Sequence, residues 1–171
     1  MGVAAVVVMS GGCVWSASTA DQAAAGVARK LVGTWKLVAI EERDGSGKRV
    51  VPLDFGSEPA GMLMYDAAGN MSAQAMRRGR PRLETEDVHR APAEQVKAAF
   101  TGYAAYFGTY EVNERESIVV HHVEGSMLPN WEGGDQRRKF TLLGDKLILE
   151  PPAFQAKGES RSRRLTWQRV P

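Results

Sequence analysis

Two adjacent histidines, His121 and His122, lie in a mostly apolar stretch at residues 117–123. Imidazole titrates near neutral pH, so a histidine in an apolar cavity can serve as a hydrogen-bond partner or as a general base. Neighbouring strand residues point to opposite faces, so only one of the two can point inward, and residue parity does not decide which. A purely structural hydrogen bond is the alternative interpretation. Because the two side chains diverge, they are poor ligands for one metal ion, and we expect no metal site.

Three tyrosines precede this stretch, Tyr103, Tyr106 and Tyr110. Tyr106 and Tyr110 share one face of a predicted strand, with Gly108 between them. This spacing leaves room for a flat ligand between two rings, and the phenol hydroxyls would be its polar contacts. Alternatively, the rings belong to an aromatic core and a neighbour fills the gap at Gly108. If the site is catalytic, Tyr110 and either histidine are the candidate acid–base residues.

Arg138 shares a strand face with Phe140 and Leu142, which predicts that its side chain points inward. A buried guanidinium needs a partner, because an unpaired charge in the interior is energetically costly. The partner candidates are Glu111, Glu124 and a carboxylate supplied by a ligand.

Two further side chains complete the candidate ligand-binding set. Trp131 is a loop aromatic that would lie near the mouth of a cavity or pack against its rim. Met64 belongs to a hairpin that carries three other methionines between residues 62 and 76. Methionine suits an adaptable apolar lining, and an ordinary hydrophobic core is the alternative.

Composition and missing motifs exclude several classes of function. The chain has 171 residues, a net charge of +2 and one cysteine. Neither a nucleic-acid partner nor an internal disulfide is expected from these values. The sequence lacks the P-loop, nucleophile-elbow, zinc-protease and C-x-x-C motifs. We therefore expect no cofactor.

The elements that must position these residues are short strands separated by turns. Alternating apolar residues predict about eight strands between residues 33 and 170, and helical spacing predicts one inserted helix at residues 91–104. Consecutive antiparallel strands with short turns suggest a meander. Eight strands can close into a barrel that holds side chains or one small ligand, and closure removes both exposed sheet edges. The predicted fold class is all-β, an eight-stranded antiparallel barrel.

The first twenty residues contain no charged side chain and include a short apolar run at 4–9. Small residues at 18–20 resemble a cleavage site, so we expect residues 1–20 to be a signal peptide, 21–30 a linker and 31–171 the folded domain. The run is too short to span a membrane, and no transmembrane segment is expected. The expected location is periplasmic or secreted. Lipid anchoring through Cys13 is the alternative.

Gly33-Thr34-Trp35 is similar to the G-x-W motif of lipocalins, in which an arginine of the last strand packs over the tryptophan. Arg169, or Arg164, would be that arginine here. Together with the segments 31–38, 59–65, 102–110, 120–131 and 165–169, this motif resembles the bacterial and fungal lipocalin-like domain family. The resemblance spans residues 30–170. It implies a calycin-type β-barrel and says little about activity, because a fold does not determine a function.

Two functional hypotheses follow. The first is an exported, monomeric or weakly dimeric lipocalin-like protein that binds a small hydrophobic or amphipathic molecule inside the barrel. The second is a cofactor-free isomerase, cyclase or hydratase that uses a histidine and a tyrosine as an acid–base pair. A fully packed barrel would exclude both and favour a structural role.

Overall fold

Ten antiparallel strands form one continuous sheet in the computed structural model, which describes residues 26–171. The strands are β1 (Gly33–Arg43), β2 (Arg49–Val50), β3 (Pro59–Tyr65), β4 (Asn70–Arg77), β5 (Tyr103–Asn113), β6 (Ile118–Ser126), β7 (Asp135–Leu143), β8 (Lys146–Glu150), β9 (Phe154–Ala156) and β10 (Glu159–Arg169). The predicted signal peptide, residues 1–20 with Cys13, lies outside the described residues.

The sheet closes because β1 pairs with β3 along one side and with β10 along the other. The eight longer strands follow one another around the barrel in chain order. This closed antiparallel barrel confirms the predicted fold class. The short strands β2 and β9 are additions that the sequence pattern does not predict, and they pair only with ends of β1 and β10.

One α-helix, Ala93–Thr101, connects β4 to β5 and lies within the predicted range of 91–104. It begins directly after Pro92, whose fixed φ is compatible with a helix start. It ends at Gly102, whose backbone N–H donates to the carbonyl oxygen of Ala98. Within residues 26–171, neither this helix nor the short helical segment at 26–31 is long and apolar enough to cross a membrane.

The G-x-W segment anchors one end of the barrel. Trp35 is fully buried, and the guanidinium carbon of Arg169 lies 4.1 Å from the centroid of its ring. This cation–π contact is the one that the family resemblance implies. Gly33 has a φ of +135°, and a Cβ there would lie 2.6 Å from Nη1 of Arg169. Glycine is therefore required where the arginine crosses the start of β1.

Residues 26–31 are helical and pack against this same end of the barrel. Leu31 is fully buried, and its carbonyl oxygen accepts a hydrogen bond from Nε1 of Trp35 at 2.9 Å. The backbone N–H of Ala28 donates to Oε1 of Glu114 at 2.8 Å. The described part of the predicted linker is thus an ordered segment that covers the Trp35 end of the barrel.

Candidate ligand-binding site

The opposite end of the barrel contains two adjacent spaces. An inner cavity of about 80 Å³ lies among the strands, and an outer cleft of about 570 Å³ lies at the barrel mouth. Both spaces are lined by Phe55, Ala104, Trp131 and Arg138, so these residues mark the boundary between them. Of these two spaces, the outer cleft has the volume of a small-molecule site, roughly 300–1,000 Å³.

Aromatic and long apolar side chains line much of the outer cleft. They come from the loop before β3, the end of the helix, the start of β5 and the connection between β6 and β7. These residues are Phe55, Phe100, Tyr103, Met127, Leu128 and Trp131. Such a lining suits the body of an apolar or aromatic ligand.

A second groove, about 690 Å³ in volume, lies on the outer barrel wall. Charged side chains of both signs, including Glu41, Arg137 and Arg164, line it. Several of these charges form ion pairs across or beside the groove, as Arg137 does with Glu116. An exposed groove of mixed charge does not suit a hydrophobic ligand, so the candidate site is the barrel mouth.

His121 is the histidine that points into the barrel, and it is fully buried. Both of its ring nitrogens contact tyrosine hydroxyls. Nε2 lies 2.7 Å from Oη of Tyr65, and Nδ1 lies 2.8 Å from Oη of Tyr106. Because Tyr106 and His121 also line the inner cavity, this hydrogen-bonded chain forms part of its wall.

Burial controls the protonation of these three hydrogen-bonded side chains. Desolvation, followed by the charges of Arg138 and His122, lowers the pKa of His121 from 6.5 to about 3. Desolvation also raises the pKa of Tyr106 above its ordinary value and that of Tyr65 well above it. All three side chains are therefore neutral at physiological pH, which suits hydrogen bonding better than proton transfer.

We predict that stability falls as the pH drops from 7 to 5. The unfolded chain binds a proton at His121 near pH 6.5, whereas the folded chain does not until about pH 3. Acidification within that interval therefore favours unfolding, by about 2 kcal/mol between pH 7 and pH 5. Urea unfolding of the wild-type chain at several pH values measures the slope.

His121→Gln removes the titrating group and should flatten this slope, whereas His122→Gln should keep it. The side chain of His122 is 36% exposed and points away from the barrel. A slope that is equal in His121→Gln and in the wild type would show that another group causes it.

His122 and Met64, two of the predicted ligand contacts, lie outside the cavity. His122 binds Asp135 through Nδ1 at 2.7 Å, and its Nε2 lies 3.8 Å from Glu111. Met64 is 40% exposed on the outer face of β3. An interior ligand cannot reach these positions, because strand alternation directs them to the solvent side.

Tyr110 also lies away from the cavity lining, and the predicted slot between Tyr106 and Tyr110 is occupied. The Tyr110 ring packs against Tyr65 with centroids 4.6 Å apart, and its hydroxyl donates to the carbonyl oxygen of Asp66. At Gly108, a Cβ would lie only 1.9 Å from a carbonyl oxygen of β6. The glycine thus permits close contact between strands and leaves no space for a ligand.

Tyr103, Trp131 and Arg138 lie at the cavity, as Tyr106 and His121 do. Tyr103 lines the outer cleft. Trp131 belongs to a short 3₁₀ helix, Pro129–Trp131, and its ring meets Tyr106 edge-on with centroids 5.6 Å apart. The structure therefore gathers five of the predicted ligand contacts around one space.

Arg138 has different partners from those expected. Its Nη1 donates to the carbonyl oxygen of Arg137 at 2.9 Å, and its Nη2 donates to Oε1 of Gln136 at 3.1 Å. Glu111 is exposed and lies beside His122, and Glu124 is exposed. Within residues 26–171, no carboxylate lies within ion-pair distance of Arg138.

Sequence reasoning missed Tyr65, which completes the His121 chain. It also missed a buried charge cluster, in which the fully buried Glu42 binds Arg161 and Arg163, each at 2.8 Å. The alternation of residues along the strands gave a sequence signal for both Tyr65 and the charge cluster. Tyr65 shares a strand face with the buried Leu63, and both arginines alternate in phase with Trp167.

Two solved structures are similar to the chain over most of their length. A lipocalin-like protein from Bacteroides uniformis is 13% identical, with a TM-score of 0.42, over 82% of this chain and 98% of that one. An uncharacterized protein from Bacteroides eggerthii is 14% identical, with a TM-score of 0.41, over 82% of this chain and 99% of that one.

A curated relative is more similar in sequence. The 4'-hydroxy-3'-methoxypropiophenone carrier protein of Aspergillus oryzae is 37% identical over 109 residues, which are 59% of this chain and 97% of the relative. The family model described as a lipocalin-like domain matches residues 32–170. That match includes all ten strands and every residue at the barrel mouth. The chain belongs to the lipocalin-like domain family.

Proposed function

We propose that this protein binds a small aromatic or amphipathic molecule at the mouth of its barrel and carries out no covalent chemistry. The observation that carries this proposal is the cleft of about 570 Å³, lined largely by aromatic and apolar side chains, that adjoins the inner cavity of the barrel. A concave apolar site with a few polar groups is the usual form of a small-molecule site.

The curated relative supports a binding role because it is named as a carrier. The compound in its name is an aromatic ketone with hydroxyl and methoxy groups. A ring of this type would pack against Tyr103, Trp131 and Phe55, with its polar substituents near the hydrogen-bonding groups of the inner wall. This ketone is therefore a suitable first probe.

The alternative, a cofactor-free enzyme, has less support. A general base works best when its pKa lies near the operating pH. The pKa of His121 is lowered to about 3, and both of its ring nitrogens already contact tyrosines. His122 is outside the cavity, and the hydroxyl of Tyr110 is bound to Asp66. The barrel mouth thus offers hydrogen bonds rather than a poised acid–base pair.

Titration calorimetry of the full chain with 4'-hydroxy-3'-methoxypropiophenone tests the proposal. We expect saturable binding at one site. Ala104→Phe places a ring at the boundary of the two spaces and should weaken binding by about tenfold or more, a loss of about 1.4 kcal/mol. Ala98→Phe is the matched control, because Ala98 is exposed on the helix and does not line the site.

The two variants distinguish the outcomes. Equal weakening by both, or by neither, would locate the binding elsewhere and contradict the proposed site. If the probe does not bind, a panel of small aromatic ketones, acids and esters follows, and failure of the whole panel would reject the binding function.

A further inference from the structure

Arg138 is a cation at the binding site, and its hydrogen-bond partners within residues 26–171 are all uncharged. A guanidinium has five N–H groups. Two of those on Arg138 bind the carbonyl oxygen of Arg137 and the amide oxygen of Gln136. The half-buried side chain lines both the inner cavity and the outer cleft. Its charge and its remaining donors are therefore at the boundary that a ligand would reach.

The neighbouring arginine of the site is already neutralised. Arg163 also lines both spaces, but it binds Glu42 at 2.8 Å and Asp54 at 3.3 Å. Arg138 thus differs from Arg163, because no described residue supplies a counter-charge to it.

Tyr65 determines the direction of the hydrogen bonds beside Arg138. Within the described chain, the only hydrogen-bond partner of its buried hydroxyl is Nε2 of His121. If Tyr65 accepted a hydrogen bond from Nε2–H, its own O–H would have no acceptor, and a buried unpaired donor is costly. Tyr65 therefore donates to Nε2, and the neutral His121 carries its proton on Nδ1.

Tyr106 then accepts the hydrogen bond from Nδ1–H of His121, at 2.8 Å. The O–H of Tyr106 itself donates to neither Tyr65 nor His121 in this series of hydrogen bonds. Because Tyr106 lines the inner cavity next to His121, this O–H is a donor that a ligand can use. Burial raises the pKa of Tyr106, and both the charge of Arg138 and a side-chain hydrogen bond from it oppose that rise, so the two groups are neighbours.

A third donor lies in the wall of the same cavity. Trp167 is buried and lines the inner space, and its indole N–H has no hydrogen-bond partner among residues 26–171. Buried polar groups are almost always paired, so this N–H also requires an acceptor. Arg138 therefore lacks a counter-charge, and the Tyr106 O–H and the Trp167 N–H lack an acceptor, among residues 26–171; the missing complement is an acceptor with a negative charge.

We propose that Arg138 and the hydroxyl of Tyr106 bind the carboxylate of a small aromatic acid, whose ring occupies the outer cleft. The carboxylate accepts charge-assisted hydrogen bonds from the guanidinium and a further bond from the phenol. This assignment rests on the proposed function, since it names the class of ligand that the same site takes.

The test compares an acid with its neutral ester. Titration calorimetry at pH 7 measures the binding of 4-hydroxy-3-methoxybenzoate and of methyl 4-hydroxy-3-methoxybenzoate to the wild-type chain. The two molecules share one ring and differ in charge. We expect the acid to bind at least about tenfold more tightly, because a desolvated charge pair adds to the ring contacts.

Arg138→Gln should lower the affinity for the acid by about tenfold or more and change the affinity for the ester by less than about threefold. Arg137→Gln is the matched control, because Arg137 is adjacent in sequence, points outward and pairs with Glu116. Tyr106→Phe should weaken acid binding without a change in the net charge. Thermal unfolding of each variant checks that it is folded.

The outcomes separate the two proposals. An ester that binds the wild-type chain as tightly as the acid overturns the carboxylate site, and this comparison needs no variant. If the ketone and the ester bind without preference for the acid, only this assignment fails. If the acid does not bind, the carboxylate assignment fails, and if the ketone, the ester and the rest of the panel also fail to bind, the proposed function fails as well. Equal losses in Arg138→Gln and Arg137→Gln also contradict the assignment, since they would indicate a long-range charge effect.

Discussion

Replacing Glu42 with alanine is expected to lower the free energy of unfolding by about 3–5 kcal/mol, the usual cost of removing one partner from a buried ion pair. Glu42 is fully buried. Oε1 accepts from Arg161 at 2.8 Å, and Oε2 accepts from Arg163 at 2.8 and 3.1 Å. Without the carboxylate, two guanidinium groups that are 12% and 14% exposed would lose their shared counter-charge.

The cluster links distant parts of the chain, which explains the size of the effect. Arg163 also binds Asp54 at 3.3 Å and packs over the rings of Phe55 and Phe154. Phe55 lines both spaces at the barrel mouth. Loss of Glu42 should therefore loosen the loop that forms one wall of the site, and ligand binding should weaken together with stability.

Urea unfolding measures the change, and Glu41→Ala is the control. Glu41 is adjacent, is partly exposed and pairs with Arg49 at 3.6 Å, so its loss should cost less than about 1 kcal/mol. A small effect at Glu42, equal to that at Glu41, would mean that water replaces the carboxylate in the cluster.

The Glu42 cluster should also contribute to acid sensitivity. Burial raises the pKa of Glu42, but the hydrogen bonds and charges of Arg161 and Arg163 outweigh it and hold the pKa below the ordinary value of 4.5. The unfolded chain therefore binds the proton first as the pH falls. This stabilisation is present above pH 4.5 and is lost on further acidification, so it adds to the His121 effect only in the lower part of the interval between pH 6.5 and about 3.

Gly108→Ala is expected to cost about 3 kcal/mol or more, because the added Cβ meets backbone atoms that cannot move independently. A Cβ at this position would lie 1.9 Å from the carbonyl oxygen of His122 and 2.9 Å from the backbone nitrogen of Glu124. The pairing of β5 with β6 shifts register between Phe107 and Gly108. The two strands are therefore in unusually close contact at this irregularity.

The effect of Gly108→Ala should extend to the site. Gly108 lies two residues from Tyr106, and the affected carbonyl oxygen belongs to the residue after His121. Separation of the strands should lengthen the Tyr106–His121 hydrogen bond, which is 2.8 Å in the native barrel. Loss of near-ultraviolet circular dichroism from these tyrosines, together with a lower urea midpoint, would report both changes.

Gly45→Ala is the matched control for Gly108→Ala. Its Cβ would lie 3.5 Å from the carbonyl oxygen of Ser160, an ordinary contact, so the expected change is within about 0.5 kcal/mol. If Gly108→Ala is as mild as Gly45→Ala, the β5–β6 irregularity can relax, and the close contact is not needed for folding.

Much of the barrel was predictable because its signals are local. Alternating apolar residues indicated the eight long strands, and the spacing after Pro92 indicated the helix. The strands β2 and β9 were not predictable, since each has only two or three residues and forms by pairing with the end of a longer strand. The helical segment at 26–31 likewise depends on a long-range contact, because Ala28 binds Glu114, which lies 86 residues away in sequence.

The candidate site was only partly predictable. Residue types identified Tyr103, Tyr106, His121, Trp131 and Arg138 as side chains with useful chemistry. The sequence could not reveal Tyr65 as the partner of His121, because the two are 56 residues apart and meet only across the barrel. The sequence also suggested a ligand slot at Gly108, but the backbone of β6 lies there. A missing side chain indicates free space only when the positions of the neighbouring backbone atoms are known.

The sequence by itself determined the strand periodicity, the G-x-W anchor with its arginine and the set of aromatic and basic residues available for a site. The tertiary structure decided which of them face one another. His121 points inward and His122 outward because the pairing of β6 with β5 and β7 sets the register, while both neighbourhoods along the chain are equally apolar. Among residues 26–171, Arg138 lacks a carboxylate partner for the same reason: barrel closure, and not sequence proximity, determines which charges can meet.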